Sequence, residues 1–116
     1  MEEKNKVSVF TACFPTKTEL DAFVEEKFTE NGDIYSNLLS DLQVGFINHQ
    51  FQEILFTGKP INKPDLQDFS YIDNFVSHIE FSKITGNSLI FLYNFNYAIS
   101  DNRPKKLNYI GAFNYR

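Results

Sequence analysis

Two runs of strict alternation between Leu89 and Tyr115 limit the fold of this chain more than any other feature. Leu89, Phe91, Tyr93, Phe95 and Tyr97 interleave with Ile90, Leu92, Asn94, Asn96 and Ala98, and Leu107, Tyr109, Gly111, Phe113 and Tyr115 alternate again. A period of two sends successive side chains to opposite faces of a strand, so each run predicts a strand with one aromatic face. Ser100–Lys106, with its Asp-Asn-Arg-Pro, supplies turn chemistry between them, and the pair reads as a β-hairpin.

Upstream, Val7–Phe14 is β-branched and aromatic and stops at Pro15, which predicts a strand buried on both faces. Thr16 followed by Glu19 has the spacing of a capping box. Leu20, Phe23, Val24 and Phe28 then predict one apolar helix stripe that ends at Asn31-Gly32-Asp33. Ser36–Leu42 predicts a short second helix through Leu38, Leu39 and Leu42. Phe46–Phe56 predicts a strand with an irregular start, closed by Gly58-Lys59-Pro60. From Asp65 or Ser70 to Thr85, the positions Phe69, Ile72, Val76 and Ile79 predict a third helix, with Gly86 as its left-handed C-terminal residue.

The resulting order, β-α-(α)-β-α-β-β, predicts an α+β fold: a mainly antiparallel sheet of about four strands with two to three helices packed on one face. At 116 residues the chain has the size of a single domain. Its 13 Phe and 6 Tyr exceed what one sheet face needs, so the second face is expected to be either another core beneath a loop or a binding surface.

Charge is unevenly spread. Fifteen acidic and 11 basic residues give a formal net charge of −4. Between Lys17 and Asp33 lie Glu19, Asp21, Glu25, Glu26, Glu30 and Asp33 against Lys17 and Lys27, and Asp65, Asp68, Asp73 and Glu80 follow without a base. Arg103, Lys105, Lys106 and Arg116 face only Asp101 near the end. Acidic faces repel phosphate backbones and attract basic surfaces, so nucleic acid is not the expected partner. The start lacks a basic segment followed by an apolar one, and no run is long enough to span a bilayer; a soluble cytoplasmic protein without membrane contact is expected.

The chain is poor in catalytic patterns. Cys13, the single cysteine, ends an apolar strand and is expected to be a buried thiol; one cysteine allows no internal disulfide. His49 and His78 have no second ligand at metal spacing, so no metal or other cofactor is expected. The five glycines form no phosphate-binding or nucleophile-elbow motif. Tyr93, Phe95 and Tyr97 beside Arg103, Lys105 and Lys106 resemble a base-stacking surface, but the RNA-recognition signature is absent. Binding rather than catalysis is the expected mode of action, with no catalytic residue.

Several segments together resemble the immunity protein 22 family of small bacterial proteins encoded beside polymorphic toxins. They are Lys17-Thr18-Glu19-Leu20, Glu26-Lys27-Phe28, Glu30-Asn31-Gly32-Asp33, Asn48-His49-Gln50-Phe51-Gln52-Glu53, Tyr93-Asn94-Phe95 and Tyr109-Ile110-Gly111-Ala112-Phe113. The resemblance implies an inhibitor that binds and neutralises a cognate protein toxin, many of which are nucleases with basic grooves. Asp21, Glu25, Glu26, Glu30 and Asp33 are then the expected partner-binding acids, with Tyr35 and Tyr71 as candidate anchors. Two other classes remain open at this point: a small-molecule binder that uses the aromatic sheet, and a hydrolase that needs His49 or His78.

Overall fold

The first strand organises the molecule. In the computed structural model, which describes residues 2–97 and 104–116, strand β1 (Glu2–Ala12) runs through the middle of a four-stranded antiparallel sheet. On one side it pairs with β5 (Ser88–Phe95), which in turn pairs with β4 (Gln52–Phe56); on the other it pairs with β6 (Asn108–Asn114). The even positions Phe10 and Ala12 enter one core and the odd positions Val7 and Val9 another, so β1 is buried on both faces as its composition predicts.

The predicted hairpin is not formed. Because β5 and β6 both run antiparallel to β1 and flank it, they are parallel to each other, and the intervening segment is a crossover rather than a turn. Of that segment, residues 98–103 lie outside the described residues. At its described ends Tyr97 and Leu107 are buried in the same core. The aromatic alternation is also broken: Leu89, Phe91 and Tyr93 enter one core and Phe95 and Tyr97 the other. Asn94, at φ 58, makes the switch. Ser8 stabilises the displaced segment by donating its hydroxyl to the Phe95 carbonyl at 2.7 Å and accepting from the Tyr97 N–H at 3.0 Å.

One sheet face is covered by helix α1 (Lys17–Val24) and helix α2 (Asn37–Leu42). Thr16 accepts the Glu19 N–H at 3.2 Å and Ser36 accepts the Leu39 N–H at 3.0 Å, so each helix starts on a side-chain cap. Leu20, Phe23 and Val24 bury the apolar stripe of α1. That helix ends earlier than predicted, at Glu25 in extended conformation. The following residues form a separate small hairpin of β2 (Lys27–Phe28) and β3 (Ile34–Tyr35). Phe28 therefore leaves the stripe and is 65% exposed.

The other face is covered by residues 61–84, and here no α-helix exists. Four 3-10 turns, Lys63–Leu66, Ile72–Asn74, Val76–His78 and Phe81–Lys83, replace it. Their backbone bonds span three residues, as in Phe69 N–H to Leu66 O, Phe75 N–H to Ile72 O and His78 N–H to Phe75 O at 3.0–3.1 Å. Leu66, Phe69, Ile72 and Phe75 recur every third residue and all four are buried, which suits a three-residue turn better than the 3.6-residue period of an α-helix. Tyr71, in left-handed conformation at φ 60, adds a break that a continuous α-helix would not tolerate. Helices thus pack on one face, while the second face is a core under a run of turns.

Candidate functional site

The sequence-predicted acids gather around the small hairpin and the helix before it. Thr29 N–H donates to Asp33 O at 2.9 Å, and Gly32, at φ 84, supplies the left-handed residue the turn requires. Thr29 Oγ1 accepts the Asp33 N–H at 3.1 Å and fixes the turn from its side chain. This geometry holds Glu30 and Asp33 at an exposed tip.

Asp21 and Glu25 are exposed at the end of α1, one helical turn apart, and Asp21 pairs with Lys17 Nζ at 3.0 Å. An exposed i,i+4 pair of this kind contributes little to stability, so Asp21 is available to exchange Lys17 for a better cation. Glu26 is half-buried between helix and hairpin. Two rings stand among these acids: Phe28, and Tyr35, which is 49% exposed. Lys27 pairs with Tyr35 and Phe28 with Ile34 across the hairpin, so the short two-strand unit carries the two rings on opposite faces.

Phe28 is the residue sequence reasoning missed. The signal was present, because Asn31-Gly32 between short apolar segments is a hairpin signature, yet the i+4 spacing from Val24 suggested continued helix.

Tyr71 is placed elsewhere. It belongs to the turn layer on the opposite face of the sheet, packs against Tyr115 at 5.0 Å between centroids, and lies 5.6 Å from the Arg116 guanidinium. The second acidic run, Asp65 to Glu80, belongs to that same layer, so the two acidic runs lie over opposite sheet faces. They do not form one acidic side.

Cys13 is exposed, contrary to expectation. It lies just past Ala12, the last residue of β1, while Phe14 turns inward to meet Phe23 at 5.3 Å. His78 is exposed, and of His49 only the backbone is described. Among the described residues no group of three His, Cys, Asp or Glu side chains could hold a metal ion, and no helix is long and apolar enough to cross a membrane.

The aromatic sheet faces are both core. Phe91 stacks on Phe69 at 3.8 Å, and Phe10, Tyr97 and Tyr109 pack edge-on or tilted at 5.0–5.5 Å. Tyr93 donates its phenol to the Ser70 carbonyl at 2.6 Å; burial, then the neighbouring Glu53 and Tyr115, push its pKa well above that of an ordinary tyrosine. These rings are interior groups rather than an open platform for ligands. A cleft of about 450 Å³ does open at one end of the sheet, between the exposed rings of Phe46 and Phe51 and the buried Ile47 and Phe95.

Neither the curated proteins nor the solved structures gave a match to this chain. A family model described as Immunity protein 22 covers residues 7–116, from the first buried residue of β1 to the last residue, and the chain belongs to that family.

Proposed function

We propose that this immunity protein binds a cognate protein toxin in the bacterial cytoplasm and neutralises it by occupying a basic surface, without catalysis. The observation that carries the proposal is the hairpin: Phe28 and Tyr35 are exposed on its two strands, Glu30 and Asp33 at its exposed tip, and Asp21, Glu25 and Glu26 in the segment that leads into it. Large rings exposed to water weaken solubility unless they serve a contact, and aromatic anchors inside a charged rim are how tight interfaces divide their work. The acids speed encounter with a cationic surface, and the rings slow dissociation once buried. A nuclease, whose substrate groove is basic, fits this surface. Tyr71, on the opposite sheet face, stays outside the interface.

The test pairs two variants with the toxin domain encoded beside the protein. In Asp21→Lys/Glu25→Lys the fold should hold, since exposed charge changes alter stability by about 0.5 kcal/mol. Stopped-flow association should slow and lose much of its dependence on salt. Phe28→Ser should leave association nearly unchanged and speed dissociation by about tenfold or more. Wild-type rates in both folded variants would reject the hairpin as the contact.

A further inference from the structure

The sheet has two edges, and they are protected differently. Strand β4 is five residues long, carries the charged Glu53, and is tied to the turn layer because Glu53 accepts both the Ser70 N–H, at 2.9 Å, and its hydroxyl. Strand β6, Asn-Tyr-Ile-Gly-Ala-Phe-Asn, has seven residues without a charge or a proline. Edge strands normally carry such residues to prevent pairing with other chains.

The register shows which backbone groups of β6 are open. Tyr115 N–H donates to Asn5 O at 3.0 Å, and Phe113 and Gly111 lie opposite Val7 and Val9 in the same alternation. Ala112 and Asn114, between them, therefore turn their N–H and C=O groups away from β1. The register shift at Val9/Phe10 lies before this stretch and leaves it regular. Among the described residues no turn or loop backbone bond reaches Asn108–Asn114.

Alongside the same stretch runs a groove of about 670 Å³, lined by Lys6, Asn74, His78, Phe113 and Arg116 among others and by no acid. Lys105 and Lys106 stand before the start of the strand, where the Asp41 carboxylate accepts their backbone N–H groups, so the groove's own cations are Lys6 and Arg116. Open backbone groups call for an extended chain, and these two cations call for an acidic one. A second copy of this chain does not meet the requirement: antiparallel pairing of β6 with itself would bring Lys106 of one copy towards Arg116 of the other.

We propose that the β6 edge and its groove take up an extended acidic segment of a protein partner as a fifth strand of the sheet. This surface is separate from the Phe28 hairpin, and its test needs no toxin, so either proposal can fail alone. The probe is a short synthetic peptide of alternating Val and Thr with Asp at both ends, added to the full chain and followed by amide exchange and chemical-shift mapping. Binding is expected to saturate below about 1 mM, to slow exchange at Ala112 and Asn114 about tenfold, and to weaken about fivefold in Lys6→Gln. The same peptide N-methylated at alternate residues keeps its charge but cannot pair, and it should not bind. Equal binding by the methylated peptide, or by one with Lys in place of Asp, would overturn the proposal. So would exchange protection that appears with protein concentration alone, which indicates a second copy, tighter binding of a thymidine oligonucleotide, or no saturation by the acidic peptide.

Discussion

Thr11 is fully buried in β1, and its Oγ1 meets no hydrogen-bond partner among the described residues. A hydroxyl removed from water without a new partner opposes folding, and valine has the same branched shape without that group. Thr11→Val should raise stability by about 1 kcal/mol in urea unfolding; a loss would show that the hydroxyl has a role. Gly86 is constrained in the opposite sense. At φ 87 a Cβ there would sit 2.4 Å from the Ala12 carbonyl oxygen, so both the backbone and the neighbouring strand must move to accept it. Gly86→Ala should cost about 2 kcal/mol or more by the same measurement. Tyr93 sets a pH limit. Its raised pKa means that above about pH 10 the unfolded chain loses a proton that the folded chain keeps. Stability must therefore fall as pH rises through that region. Unfolding midpoints from pH 8 to 11 should decline, and in Tyr93→Phe the decline should be shallower, from a starting point about 1 kcal/mol lower because the bond to Ser70 is lost.

At the scale of elements, side-chain clamps replace much of the work of regular structure. Asn87 accepts the Phe14 N–H at 3.0 Å and donates back to the Phe14 carbonyl at 2.8 Å, so its amide extends the end of β1 as another strand would. Asp41 in α2 accepts the backbone N–H groups of Lys105, Lys106 and Leu107 at 2.8–3.3 Å and fixes the end of the β5–β6 crossover. Asp41→Ala leaves those donors without their acceptor and should cost about 2 kcal/mol. Amide exchange should quicken first at Lys105–Leu107; uniform acceleration would mean that the clamp is not local. These clamps mark what the sequence showed and what it hid. The two-faced β1, the capped start of α1 and the apolar face of α2 were legible because local chemistry decides each of them. Gly86 is left-handed as expected, but it follows a run of turns and not the helix it was expected to end. The partner of a strand is a long-range choice, and alternation in β5 and β6 says nothing about β1 lying between them. The turn layer was hidden because Phe69, Ile72, Val76 and Ile79, three and four apart, fit a helical stripe, whereas the buried positions also run through Leu66 and Phe75 at a strict three-residue interval. The same limit applied to the candidate site, where the acids and Tyr35 were visible as types, while Phe28 depended on where a helix stops.

Across the whole molecule, two cores share one sheet, and the two acidic runs cover opposite faces of it. Steering by total charge and contact by one face can therefore be separated, because either run can be reversed without touching the other. Asp21→Lys/Glu25→Lys and Asp68→Lys/Asp73→Lys each add four charges, taking the formal net charge from −4 to 0. All four side chains are exposed, so both variants should fold. If net charge alone governs encounter with a basic toxin, the two should lose association rate equally, since a distant toxin responds to the summed field. If the hairpin face makes the contact, its acids lie closest to the cations in the encounter complex, where screening over about 8 Å removes the contribution of the far face. The expected result at physiological salt is a loss of about tenfold in association for the first variant and about twofold or less for the second. Equal losses would reduce the acids to a general field, and a larger loss in the second would move the toxin to the turn layer, where Tyr71 lies.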